Sequence, residues 1–264
     1  MKKNIIITVI LFLLVNLTKA QEFYHASSGE MIFSFSNITE YNKITEKYDK
    51  IPTGMRFTIW FHAQHTFHYN FNNTFGAFIG LGIRNIGITP APDSVYFHGD
   101  KTYYKRASAG ASVFQLTTVK QRTYTLGIPL AFKIGNFNKG YYLFAGAEYE
   151  YSFHYKEKVW IDNEKKKYSE WFGDQATLFL PSVFGGIKLP GGTMIKFKWY
   201  LQNFLNQNHK ANIVNNNITT EIEPYKYTNT QLFYVSMAFI IESKKPKAKP
   251  TQENGQPTVP KIDM

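Results

Sequence analysis

The stretch "YYLFAGAEYEYSFHY", Tyr141–Tyr155, alternates two kinds of side chain. In a strand, successive side chains point to opposite faces, so Tyr141, Leu143, Ala145, Ala147, Tyr149, Tyr151, Phe153 and Tyr155 share one side. The other side carries Tyr142, Phe144, Gly146, Glu148, Glu150, Ser152 and His154. A soluble sandwich would bury the aromatic face and leave both glutamates in water. A barrel in lipid inverts this: the aromatic face meets hydrocarbon and the carboxylates line the interior. One strand cannot decide, so the number and spacing of similar segments must.

Seven more segments read as strands: Glu30–Ser36, Met55–Gln64, Thr74–Ile88, Thr118–Ile134, Thr193–Leu205 and Thr230–Ile241 alternate in the same way, and Ala176–Leu189 is Gly-rich and less regular. With the first they make an even set of eight, as closure of a bacterial barrel requires. The connections carry the stronger signal. "NFNNT", "GNFNKG" and "PGG" are tight turns of Asn, Gly and Pro. Between them fall long polar segments near 37–54, 89–117, 157–175 and 206–229. Long and short connections alternate, as in barrels with large outer loops and tight periplasmic turns. The expectation is an all-β chain: an eight-stranded antiparallel up-and-down transmembrane β-barrel over residues 21–242.

Composition agrees with that class. Lys2 and Lys3 precede an apolar run from Ile5 to Val15 and then Thr18-Lys19-Ala20, the pattern of a signal peptide over residues 1–20. Its removal takes away three lysines and no acid, lowering the net charge from +11 to +8. Such a basic exported chain suits anionic outer-membrane lipid and lipopolysaccharide, and nucleic acid is not an expected partner. With 0 Cys there is no disulfide, thiol nucleophile or lipidated cysteine. Aromatic residues make up 17% of the chain, and beyond the first segment no apolar run reaches the length of a spanning helix. Residues 243–264, "ESKKPKAKPTQENGQPTVPKIDM" from Glu242 onward, are Lys/Pro-rich and read as a disordered tail on the periplasmic side.

An eight-stranded barrel is only wide enough for side chains to fill it. Inward charges must therefore be paired. Strand parity sends Glu148 and Glu150 inward with Arg56, Arg84, Lys133, Lys196 and Lys198, and the expectation is an internal ion-pair network that fills the bore.

Four of the segments carry a resemblance. "RTYTLGIPLAFKIGNF", "YYLFAGAEYEYSF", "LPSVFGGIKL" and "QLFYVSMAFII" resemble successive strands of the Bacteroidota outer-membrane β-barrel family, which includes the PorT-like proteins. Ile128-Pro129 and Ala145-Gly146 sit where that family tends to have them. The resemblance covers most of the chain from residue 21 to Ile241 and implies fold and compartment, the cell outer membrane. It implies little about activity, because such barrels serve many functions. About twenty residues follow Ile241, unlike barrels that end on a terminal aromatic.

Candidate chemistry was weighed residue by residue. In a strand His62 and His68 share a face while His65 points away, so the three do not converge and no metal site is expected. Glu148 and Glu150, about 7 Å apart along one face, suit structural pairing better than acid–base work. Ser152 and His154, on one face with Glu150 nearby, form the best nucleophile–base pair, although a polar rim explains them more simply. No catalytic residue, cofactor or metal is therefore assigned. For partner binding the choice falls on two loops: Tyr103, Tyr104, Lys105 and Arg106 in one, and Lys165, Lys166, Lys167, Trp171 and Phe172 in the other. Asp93-Ser94-Val95 resembles a short O-glycosylation acceptor. The leading functional reading is a non-catalytic anchoring component of a secretion or barrel-assembly machine, with envelope proteins as partners. The alternatives are a lipid-modifying enzyme and a small-solute conduit.

Overall fold

The computed structural model describes residues 22–90, 97–99, 102–104, 116–161, 164–215 and 218–243. The signal segment, Asp93-Ser94-Val95, Lys105, Arg106 and the tail from residue 244 lie outside the described residues.

Eight strands form the wall: β1 (Glu22–Asn42), β2 (Ala63–Asn70), β3 (Phe75–Ile88), β4 (Leu116–Asn136), β5 (Tyr141–Ile161), β6 (Phe179–Lys188), β7 (Thr193–Tyr200) and β8 (Thr228–Glu242). Each pairs antiparallel with its neighbour in sequence. The ring closes where β8 returns to β1, in register from Ala26 opposite Glu242 to Glu40 opposite Thr228. This is the expected up-and-down barrel. The short turns, at 71–74, 137–140 and 189–192, gather at one end. There Asn72 Oδ1 accepts from the backbone N–H groups of Thr74 and Phe75, and Gly191 and Gly192 take φ of 86° and 89°, which a side chain would strain. Both ends of the described chain lie at this end, where Ser243 N donates to His25 O at 3.0 Å. The long connections at the other end carry β-structure of their own. Lys47–Ile51 folds back on β1, Glu164–Trp171 on β5, and Ala211–Asn215 pairs with Ile218–Ile222.

Burial runs opposite to that of a soluble barrel. Along β4, Leu126, Ile128, Leu130, Phe132 and Ile134 are 48–59% exposed, while Thr125 and Lys133 between and beside them are buried. On β5, Tyr149 is 55% exposed and its neighbours Glu148 and Glu150 are buried. An apolar wall of this extent is stable only against hydrocarbon. Aromatic pairs border it at both ends, Phe23 with Phe67 and Phe75 with Phe132 near the short turns, and Tyr149 with Phe179 and Trp199 with Phe233 toward the loops. This is a transmembrane barrel of the outer-membrane type.

Two expectations are corrected. The second strand was expected over Met55–Gln64, but β2 begins at Ala63. Arg56–Thr58 pairs with β1, and the chain then leaves the ladder through Phe61 at φ 63°. On β5, Tyr155 was placed with the outward aromatics and is instead buried. The cause is a β-bulge: Thr125 of β4 faces Ser152 while Tyr124 faces His154, leaving Phe153 as the extra residue and reversing the parity beyond it.

The wall predicts a sharp response to charge. Leu130→Arg, near the middle of the apolar belt, is expected to cost about 2–4 kcal/mol of folding stability in vesicles. Denaturant titration of the refolded protein checks this, since the same change on a water-facing strand would be nearly neutral.

Candidate functional site

Inward parity on four strands brings six charged side chains to one level of the interior. Glu30 comes from β1, Arg84 from β3, Glu148 and Glu150 from β5, and Lys196 and Lys198 from β7; none is more than 3% exposed. Lys196 Nζ lies 2.6 Å from Glu30 Oε1, and Arg84 Nη2 is 3.7 Å from the same oxygen. Arg84 also pairs with Glu148, and Lys198 bridges Glu148, at 2.7 Å, and Glu150. Three carboxylates thus meet three cations, and the cluster is electrically balanced. Neutral donors and acceptors add to it, while Glu30 Oε2 and Arg84 Nε lack a hydrogen-bond partner among the described residues. Tyr200 and Thr125 donate to Glu150 at 2.9 and 2.5 Å, and Gln64 Oε1 accepts from Arg84. Space for it comes from the wall: a Cβ on Gly82 or Gly127 would collide with Arg84 or with Glu148.

Apolar layers close the cluster off on both sides. Toward the short turns lie Phe78, Phe144, Phe184 and Met194, and toward the loops Ile32, Ile86, Leu180, Phe204 and Leu232. An interior void lined by Gln64, Thr66, His68, Phe78 and Tyr142 measures about 10 Å³, roughly the least that holds one water. With charges taken out of water and sealed between apolar layers, each depends on its partners.

Of the seven residues expected in this network, Arg84, Glu148, Glu150, Lys196 and Lys198 meet. Arg56 and Lys133 lie elsewhere. Arg56 donates to the carbonyl of Asn85 at 3.0 Å and to its side chain at 2.6 Å. Lys133, near the short turns, donates to Tyr24 Oη at 3.0 Å and His68 Nδ1 at 3.2 Å. Glu30 was missed, although it shares inward parity with Ile32 and Ser34 in the expected first strand.

The histidines in and just before β2 are spread along the wall. His62 bonds Thr58 Oγ1 at 2.9 Å, His68 bonds Thr66 Oγ1 at 2.9 Å, and His65 faces outward beside Ser27 Oγ, also at 2.9 Å. The expected Ser152–His154 face does not exist. Ser152 is buried inside with its Oγ lacking a hydrogen-bond partner among the described residues. His154, beyond the bulge, points outward and stacks on Trp171 at 4.3 Å and Tyr124 at 5.4 Å. Lys165, Lys166, Lys167 and Trp171, expected in an irregular loop, form a strand against β5. Trp171 and Phe172 remain strongly exposed where it ends, and Tyr103 and Tyr104 fall in the short strand Thr102–Tyr104, which pairs with Phe97–Gly99.

No family model matches the chain, and no curated protein sequence matches it. Among solved structures the chain is similar to Ail, the attachment invasion locus protein of Yersinia pestis, with 11% identity over 83% of this chain and 99% of that one and a TM-score of 0.36. A second Ail structure, in complex with the heparin analogue sucrose octasulfate, matches at 8% identity over 83% and 99%, with a TM-score of 0.34. Neisserial surface protein A matches at 9% identity over 84% and 99%, with a TM-score of 0.32. The assignment rests on the closed ladder and the apolar wall, which together make the chain an integral protein of the outer membrane.

Arg84→Ala would leave Glu148 and Glu30 short of a partner in a sealed interior. The expected loss is about 3–5 kcal/mol, read by denaturant unfolding of the refolded barrel. Lys210→Ala, which removes an exposed pair with Glu221, is the matched control and should leave the midpoint unchanged.

Proposed function

We propose that this barrel is a non-catalytic anchor: a scaffold component of an envelope machine, for secretion or barrel assembly, acting through its outer loops and its periplasmic tail. The observation that carries this reading is the balanced charge cluster sealed between two apolar layers, which leaves the barrel without a continuous bore. The wall fixes the protein in the membrane, and the parts free to meet other molecules are at its two ends. At the loop end, all four long connections carry β-structure of their own, a form that presents side chains in fixed positions. At the other end, residues 243–264 follow directly from β8 with a composition suited to binding in extended form. The resemblance to the PorT-like barrels of Bacteroidota supports the fold and compartment of this reading and implies little about its role. In this reading residues 1–20 are the export signal.

The lipid-modifying alternative loses its best reactive pair to the bulge that separates Ser152 from His154. The conduit alternative has to contend with the sealed interior.

Two measurements test the proposal. Mild-detergent purification of the full chain should recover envelope proteins that are reduced or lost when the chain ends at Ser243 or when Trp171 and Phe172 are replaced by Ser. The same bare barrel from every version would overturn it. Planar-bilayer recordings should show no steady conductance, and a stable open level would favour the conduit.

A further inference from the structure

Above the apolar belt on the loop side, the wall continues as a three-stranded sheet: the start of β4, the end of β5, and Glu164–Trp171. Its cross-strand ladder is unusual. Lys120 faces Lys158, which faces Lys167. One step nearer the membrane Arg122 faces Lys156, and one step farther Trp160 faces Lys165. Pleat parity puts all of these on one face.

That face is the outer one. On β4 the parity that exposes Leu126 and Ile128 to lipid also turns Arg122 and Lys120 outward. On β5 the bulge at Phe153 turns His154, Lys156, Lys158 and Trp160 to the same side. The two acids of the sheet whose side chains are described, Glu157 and Glu170, take the other face. Glu157 is buried, accepting from Tyr155 at 2.8 Å and Gln121 at 3.2 Å, and Glu170 bonds Tyr168 and Gln175. Among the described residues, no carboxylate pairs with Lys120, Arg122, Lys156, Lys158, Lys165 or Lys167.

Like charges placed directly opposite destabilise a sheet, so a row of three lysines with no acid on its face calls for an external anion. Lys158 is at the centre. Partial burial pulls its ammonium below the ordinary lysine pKa, and Arg122, Lys165, Lys156 and Lys167 push in the same direction. Arg122 Nε is buried and unpartnered among the described residues. Aromatic rings prop the cations: Lys120 and Lys165 lie over Trp160 at 5.4 and 5.3 Å, and Arg122 over Tyr124 at 5.8 Å. Just below runs the stacked row Tyr124–His154–Trp171, and below that the lipid-facing Leu126 and Ile128. Arg122 and Lys120 stand ~13–20 Å beyond Leu126 along a tilted strand, ~10–15 Å along the barrel axis, at headgroup height.

We propose that this face docks the phosphate-bearing headgroup of a lipid in the loop-side leaflet, with acyl chains along Leu126, Ile128 and Tyr149. A lipid fits better than a soluble polyanion because the face looks sideways along the membrane and is continuous with the apolar wall through the aromatic row. The site rests on the membrane reading and is independent of the anchoring role.

Native mass spectrometry of the full chain refolded in nonionic detergent tests it, with bisphosphorylated lipid A as probe. Retention should exceed that of the phosphate-free form at least tenfold and weaken with salt. The triple change Lys120→Gln, Lys158→Gln, Lys167→Gln should lower retention at least tenfold, the corresponding triple Arg variant should keep it, and Lys210→Gln should have no effect. Equal retention of the phosphate-free form, an unaffected Gln variant, or inorganic polyphosphate bound as tightly as the lipid would each overturn the site. The heat-dependent gel shift of folded barrels reads the membrane fold separately. A wild type without that shift removes the barrel and the site together, whereas a shifted Gln variant that still retains lipid removes the site alone.

Discussion

Hydrocarbon offers no hydrogen bond to a peptide group, so every strand edge inside the membrane must be paired. The ladder between β1 and β8 meets that demand, and the rest of the molecule is arranged around it. Once eight strands close, the circumference is set and the bore is only as wide as its side chains. The outward half of each strand must then be apolar. The inward half must fill a fixed, narrow space without leaving a polar group unpaired.

The interior meets most of the second demand with a charge cluster rather than a dry core, while Glu30 Oε2, Arg84 Nε and Ser152 Oγ lack a hydrogen-bond partner among the described residues. Three acids and three bases balance, and Tyr200, Thr125 and Gln64 take up further hydrogen bonds. Glycines at 82 and 127 leave the wall thin where the largest side chains need room. Apolar layers above and below keep water from the ions, which strengthens each pair and makes the loss of any one member costly. The result is a solid post rather than a tube, and the two ends become the places where the molecule can meet others.

Much of the wall was legible in the sequence because its two signals, alternation and the rhythm of long and short connections, follow directly from closure in lipid. Tyr141–Phe153 faces as its pattern predicts, and Glu148, Glu150, Lys196 and Lys198 meet as parity demands. The failures have local causes. Met55–Phe61 alternates as cleanly as a true strand, while β2 itself is rich in His and Gln and so carries a weaker apolar signal. Arg56 and Lys133 share the inward parity but sit at other heights, and height along the axis depends on register, which periodicity does not supply. The apolar layers that seal the cluster are built from residues such as Phe78, Phe144 and Phe184, whose inward parity contradicts the simple rule of polar inside.

The extra residue at Phe153 has a consequence larger than its size. Were Phe153 paired in a regular ladder instead of bulged, β5 would continue in its original phase, and Tyr155, Glu157 and Val159 would emerge where His154, Lys156 and Lys158 now stand. Composition would be unchanged, yet β5 would withdraw Lys156 and Lys158 from the collar and present a carboxylate there. A one-residue slip of pairing at this point acts as a frameshift in side-chain phase. It changes the charge that β5 gives the outer collar while leaving the lipid-spanning half of the strand intact.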